Sequence, residues 1–339
     1  MKKKKIRILV TGISSGVGQS IYKSLLLSKL NLNIFVGDIN YLNIGICQTK
    51  KYIKLPKVED KGSLRKVISI LNKNKIDILF VGSELEIYFF SKFKKKIYLE
   101  TKTLVSISNF EIIKKYSDKY EMTKILKKNK INYPQTFEFT KKNLKKNKIK
   151  FPLMLKNKIG TSSRQVYFIK DKKRLDVFSK ILDKPIIQEY LSNSRKDFEE
   201  FTCSFFKTKE SSVIGPFLGR RNLKFGTSWI FETIDNVSLN KVILQISKID
   251  NFEGSINIQL RYYKNKFIPF EINPRYSGTT ILRSIQGFNE PEMYIKNFYL
   301  NQKLSKPRIK KKGIFFRFID ESYISNKNIL KIKKKPKKT

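Results

Sequence analysis

The sequence predicts two dissimilar parts, an α/β domain built on a parallel sheet followed by an α+β region, and three observations carry that prediction. Short apolar runs alternate with amphipathic stretches over roughly the first third of the chain. A glycine-rich turn follows the first apolar run directly. Beyond Ser117 most apolar runs have the length of strands, and only a few helical stretches separate them. At 339 residues the chain exceeds one compact core and suits two or three domains.

In order, Ile6 to Val10 is a strand, Gly12 to Gly18 the glycine turn, and Gln19 to Leu30 a helix with apolar positions near 3.6 spacing. A second strand, Asn33 to Val36, ends at Asp38; a helix from Leu64 to Asn72 leads to a third strand, Ile76 to Val81, and then to Gly82-Ser83-Glu84. This alternation specifies a Rossmann-like unit over residues 1–110, with its ligand-facing loops at the carboxyl ends of the strands. From Ser117 a helix capped by Ser and Asp runs to about Asn129 and stops before Asn132-Tyr133-Pro134. Strand-like runs follow at Phe151 to Leu155, Gln165 to Ile169, Pro185 to Gln188, Glu200 to Phe206, Ser255 to Tyr262 and Lys266 to Ile272. Helices are expected at Lys172 to Leu182, Leu239 to Ile249 and Pro291 to Leu300, and residues 303–339 form a basic extension that frays at its end.

Composition narrows the chemistry. A hydrophobic fraction of 40% with 13% aromatic residues excludes a disordered chain. No window reaches the ~18 uninterrupted apolar residues of a membrane helix, so no membrane association is expected and the cytosol is the expected compartment. The formal charge of +44 invites a polyanion, but the excess is scattered lysine with abundant Ile, Asn, Phe and Tyr, so nucleic acid is not expected as the main ligand. Cys47 and Cys203 lack any metal spacing and read as reduced, buried thiols. The chain has no histidine, which removes Ser-His-Asp and Cys-His hydrolysis, HExxH metal sites and histidine relays. Its chemistry must run on carboxylates, lysines, arginines, backbone amides and a bound metal.

Two nucleotide motifs compete. TGISSGVGQS fits TGxxxGxG, with Asp38 about where a ribose-binding acid would stand; Tyr120 and Lys124 give YxxxK, and Ser106 and Ser108 lie upstream. Together these describe an NAD(P)-dependent short-chain dehydrogenase. Against it, glycine turns also close strand-to-helix junctions that bind no dinucleotide, YxxxK is frequent by chance in a chain rich in both residues, and the serines miss the usual spacing. The second pattern is FEINPR. Glu271 and Asn273 are two apart, so a strand points both to one face, and Gln259 joins them from the neighbouring antiparallel strand. One carboxylate and two amides suffice for Mg2+ when polyphosphate supplies the remaining ligands.

From Tyr116 to Leu300 the chain carries, in order, YSDKYEMTKIL, FPLMLKNKIGTSS, PIIQEYL, EEFT, RRNLKFG, INIQLR, FEINPRYSGTTILR and QGFNEPE. This series resembles the ATP-grasp superfamily, specifically single-module proteins similar to the carbamoyl-phosphate synthase large subunit. The resemblance implies a Rossmann-like pre-ATP-grasp domain over 1–110 and a two-lobed ATP-grasp domain over 111–302, its nucleotide lid lobe at about 120–190. It implies an ATP-dependent carboxylate-amine or carboxylate-thiol ligase working through an acyl phosphate, with Mg2+, or Mn2+ in its place, and small-molecule carboxylate and amine substrates. A homodimer stays open.

By the same resemblance, Gln259, Glu271 and Asn273 hold the metals, Arg275 stabilises the transferring phosphoryl group, and Arg221 lies near phosphate and substrate, with Arg220 an equal candidate on chemistry. Lys119 and Lys156 point at the nucleotide phosphates. Gln188, Glu189, Tyr190 and Leu191 form the adenine hinge, and Glu200 binds the ribose. The lid departs from the usual Gly-Ser-Gly-Ser: Gly160-Thr161-Ser162-Ser163-Arg164-Gln165 has fewer glycines, and its hydroxyls at Ser162 and Ser163 replace them as phosphate donors. Ser14, Ser15, Glu84 and Arg283 are expected near the acceptor substrate.

Overall fold

The computed structural model describes residues 5–49, 51–147, 150–160, 165–192, 200–224, 226–310 and 313–328. Five parallel strands, β1 (Ile6–Val10), β2 (Leu32–Asp38), β3 (Tyr52–Lys54), β4 (Ile78–Phe80) and β5 (Leu104–Ser106), form the first sheet in the order β3-β2-β1-β4-β5. Their near-continuous apolar sequences suit a parallel sheet covered on both faces, and Ile8, Leu9, Val10, Ile78, Leu79 and Phe80 are fully buried. The strand order reverses between β1 and β4, so the loops leaving these two strands, Thr11 to Ser15 and Gly82 to Glu84, meet at the switch point where such sheets present a crevice.

The first helix runs Gly16–Leu26, earlier at both ends than its apolar spacing suggests, because the Ser15 hydroxyl accepts from the Gly18 amide and caps it inside the glycine turn. A helix over Ile87–Thr101 has no counterpart in the sequence reading; aromatics and lysines interrupt its stripe, and it buries only Ile87, Phe90, Ser91 and Ile97. Cys47 is exposed at the end of a single-turn helix, Gly45–Gln48, which corrects its reading as buried, whereas Cys203 is fully buried and burial pushes its thiol up to about 12.

A four-stranded antiparallel sheet follows, β6 (Thr136–Glu138), β7 (Leu153–Asn157), β8 (Val166–Ile169) and β9 (Pro185–Glu189), in the order β6-β9-β7-β8. With the helix Lys172–Phe178 it encloses a small core of its own, Leu153, Leu155, Ile169, Leu175, Leu182 and Ile187. The third sheet holds β10 (Glu200–Lys207), β11 (Val213–Phe217), β12 (Gly219–Lys224), β13 (Thr227–Thr233), β14 (Gly254–Tyr263), β15 (Lys266–Asn273) and β16 (Ile314–Phe316). Its order is β15-β14-β10-β12-β13-β16, with β11 on β10, antiparallel throughout.

Two boundaries differ from expectation. The helix expected to run from Pro291 to Leu300 is α-helical only over Glu290–Tyr294 and continues as a π-turn over Ile295–Tyr299. The C-terminal extension is also not merely basic surface, since β16 pairs with β13 and places Phe315 against Phe231. One core joins the first and third sheets: Ile8, Val10, Ile21, Leu25 and Phe80 pack with Phe206, Phe217, Phe231, Tyr276, Phe288 and Tyr294. No helix among the described residues is long and apolar enough to cross a membrane.

Candidate active site

A cleft of about 870 Å³ opens where the three sheets meet. Its floor is β14 and β15, its roof β7 and β9, and its third wall the loops Ser14 to Val17 and Gly82 to Leu85 together with Arg275 to Thr279. Antiparallel pairing sets Gln259 opposite Glu271, and a bulge immediately beyond leaves Phe270 without a partner. Bulges re-aim side chains, and here the consecutive residues Phe270 and Glu271 both line the cleft. Asn273 donates to Glu271 at 3.0 Å and so stands directly beside that carboxylate, though it is not among the residues lining the cleft. Asn257, missed by the sequence reading, lines the floor two residues before Gln259 on the same strand face and accepts from Thr202 at 3.0 Å. Its spacing from Gln259 was the available signal. The donor set is therefore hard oxygen with one formal charge, and among the described residues no cluster of three His, Cys, Asp or Glu exists. That set fits Mg2+ only when phosphate oxygens complete the shell.

Lys156 is the penultimate residue of β7 and is carried inward by the buried strand. It is 8% exposed, its ammonium donates to Gln188 Oε1 at 2.7 Å and lies 5.5 Å over the Phe270 ring, and burial lowers its pKa to about 8. Lys119 starts the helix Lys119–Lys128, capped by Asp118, and donates to the Gly160 carbonyl at 2.8 Å; burial lowers its pKa as well, against the nearby Glu271 charge. Gln188, also on the cleft wall, is buried and braces Lys156 against Thr136. Glu189, Tyr190 and Leu191 follow along the cleft wall.

Glu200 at the head of β10 is gripped by Arg221, which also donates to Gln259 at 3.0 Å, and by Arg261 at 3.4 Å. Arg261 reaches on to the Leu191 carbonyl at 3.1 Å, so this arginine, absent from the sequence reading, spans the hinge and the acid expected at the ribose. Arg220 turns to the opposite face of the sheet and donates to Glu232 at 2.5 Å, which separates it from Arg221. Arg275 pairs with Glu84 of the loop after β4 and donates to the Tyr276 carbonyl at 2.8 Å. Counting the lining residues, six cations (Lys119, Lys156, Arg221, Arg261, Arg275, Arg317) face four carboxylates (Glu84, Glu189, Glu200, Glu271), a balance suited to a polyanion.

Some expected residues fall elsewhere. Arg283 is fully buried against Glu290 at 2.8 Å and stands behind the cleft wall, bonding Thr279 Oγ1 at 2.7 Å; it positions the Ser277 to Thr279 loop instead of facing a substrate. Ser162 and Ser163, with Thr161 and Arg164, lie outside the described residues. Ser14 and Ser15 do line the cleft, but Ser14 gives both its amide and its hydroxyl to Asp38, at 2.9 and 2.6 Å. Asp38 is thereby engaged by the turn itself. The turn's glycines have a packing reason: a Cβ on Gly12 would come within 2.7 Å of Ser83 Cβ, and one on Gly18 would overlap the Gly12 carbonyl oxygen. Tyr120 and Lys124 belong to a helix of the second region, where Lys124 pairs with Glu121 at 2.7 Å. Nothing in this geometry assembles the dehydrogenase pattern.

No protein-family model matches the chain, and no curated protein matches it by sequence. Solved structures do match it. Biotin carboxylase from Campylobacter jejuni, in a β,γ-ATP complex, has a TM-score of 0.72 at 14% identity, over 92% of this chain and 75% of that one. N5-carboxyaminoimidazole synthetase from Staphylococcus aureus, complexed with ADP, has a TM-score of 0.70 at 14% identity over 94% and 84%. L-amino acid ligase from Bacillus licheniformis has a TM-score of 0.66 at 16% identity over 87% and 74%. A parallel N-terminal sheet, a small antiparallel lobe and a larger antiparallel lobe closing on one cleft give this chain the fold of these enzymes, the ATP-grasp fold that its motif series resembles.

Proposed function

We propose that this chain is an ATP-dependent ligase that activates a small-molecule carboxylate as an acyl phosphate and passes the acyl group to an amine, releasing ADP and phosphate. The observation that carries the reading is the convergence in one cleft of Lys119 and Lys156 from one side, Gln259 and Glu271 from the floor, and Arg275 at the junction with the first domain. The fold shared with ATP- and ADP-bound enzymes supports it.

Phosphoryl transfer needs positioning and charge neutralisation more than covalent help from the protein, which is why a chain without histidine can carry it out. Glu271, Gln259 and Asn257, with Asn273 bracing Glu271, would hold Mg2+, which neutralises phosphate charge when bound. Lys119 and Lys156 hold the phosphates from the roof. Glu200 takes the ribose once its arginines yield, and Leu191 and its neighbours read the adenine edge. Arg275, already pinned by Glu84 between nucleotide and acceptor ends, meets the oxyanion of the activated carboxylate. Release of ADP from ATP in the presence of Mg2+ and a panel of carboxylates and amines is the direct test. Glu271→Ala should abolish it; ADP release that survives that change refutes the metal assignment.

A further inference from the structure

The C-terminal strand brings an arginine to the wall of the cleft formed by the Ser277 to Thr279 loop. Arg317 directly follows β16, and its amide extends the pairing with β13 by donating to the Trp229 carbonyl at 2.7 Å. On a strand, residues two apart share a face, so Arg317 points to the same side as Phe315, which packs on Phe231, while Ile314 and Phe316 face outward. The Arg317 guanidinium thereby lines the cleft beside Ser277, Gly278 and Thr279 and donates to the Gly278 carbonyl at 2.9 Å. It is half-buried, and among the described residues no carboxylate pairs with it; desolvation alone lowers its pKa. Among the described residues every other cleft arginine is matched: Arg221 and Arg261 by Glu200, and Arg275 by Glu84. A desolvated guanidinium without a counter-charge is costly, and a bound anion removes that cost. The Gly278 carbonyl also accepts from Ser20 of the helix Gly16–Leu26 at 3.1 Å, and Ser15, Gly16 and Val17 at the positive end of that helix, whose first turn carries no acidic residue, line the same cleft.

We propose that Arg317 is a specificity-determining residue that binds a second anionic group, a carboxylate or a phosphate ester, on the acceptor substrate. The acceptor is then a doubly acidic small molecule, one group activated beside Arg275 and the other held between Arg317 and the helix start. This assignment of substrate class rests on the ligase reading of the same cleft, while the anion site itself can be tested apart from it.

The test is calorimetric titration of the full chain with inorganic phosphate and, separately, with succinate, each with and without saturating Mg-ADP, in wild type, Arg317→Ala and Arg317→Lys. Mg-ADP keeps the added anions away from Lys119 and Lys156. One of the two anions should bind wild type with Mg-ADP present, about tenfold more weakly in Arg317→Ala and to an intermediate degree in Arg317→Lys, which keeps the charge and loses the fork. Mg-ADP affinity should not change in either variant. Preference for phosphate or for succinate identifies the anion class. Equal binding to wild type and Arg317→Ala, or no binding of either anion to wild type, overturns the proposal. If Arg317→Ala does not fold, the lysine variant decides by the same comparison. Failure of wild type to bind Mg-ADP would count against the ligase reading, and the titrations without nucleotide would still judge Arg317.

Discussion

Lys156 sits where burial and the proposed phosphate contact pull in opposite directions. Its ammonium is desolvated, its pKa is brought down to about 8, and among the described residues its one side-chain hydrogen-bond partner is the amide oxygen of Gln188. A polyphosphate stabilises the charged form, so binding raises this pKa and takes up a proton near pH 8. ATP affinity should therefore be greatest below pH 8 and decline as pH rises through it, and Lys156→Met should lower affinity roughly tenfold to hundredfold while flattening that dependence. Equilibrium titration of ATP across pH 6.5 to 9.5, at about one-unit steps, checks both outcomes. At this scale the sequence was informative wherever a motif fixed a position on a strand, as for Glu271, Gln259 and Lys156. It was silent on Arg261 and Asn257, whose importance comes from register, and it misplaced Arg283, because an arginine in a helix carries no mark of whether it faces a cleft or a buried carboxylate.

Among the elements, the contact between the glycine turn and the loop after β4 carries the strongest steric constraint. Gly82 lies so close to Thr11 that an added Cβ would overlap the Thr11 carbonyl oxygen, and it also crowds the Gly18 backbone. Gly82→Ala should cost about 1–3 kcal/mol, read as a lower denaturant midpoint at unchanged slope. The loop Ser277 to Thr279 depends instead on a buried pair: Arg283 is held by Glu290, which also accepts from Ser204 at 2.5 Å and Ser255 at 2.7 Å. Glu290→Gln leaves that guanidinium uncompensated and should destabilise the fold by about 3–5 kcal/mol, measurable by the same denaturation. The strands flanking the motifs were readable from apolar runs. β11, β12, β13 and β16 were not, because GPF, RRNLK and TSWIFET mix glycine, proline, charge and aromatics, and their pairing depends on sheet neighbours distant in sequence.

For the whole molecule, the decisive fact is that the first and third sheets share one core. Phe80 of β4 lies 5.7 Å from Tyr276 and 5.9 Å from Tyr294, and Ser106 bonds the Tyr276 hydroxyl at 2.8 Å. These two parts should unfold in one transition by scanning calorimetry, and Phe80→Ala, by cutting about 3–5 kcal/mol from the common core, should shift that single transition without splitting it. The four-stranded lobe differs, since its apolar residues close on themselves. With a core separate from the main one, the lobe sits as a jaw beside the anvil of the shared core. Lys156 and Gln188 ride on the jaw, whereas Glu271 and Arg275 are fixed to the anvil. A molecule touching both sides works as a clasp, and the same contacts that hold it also set the spacing at which the chemistry happens.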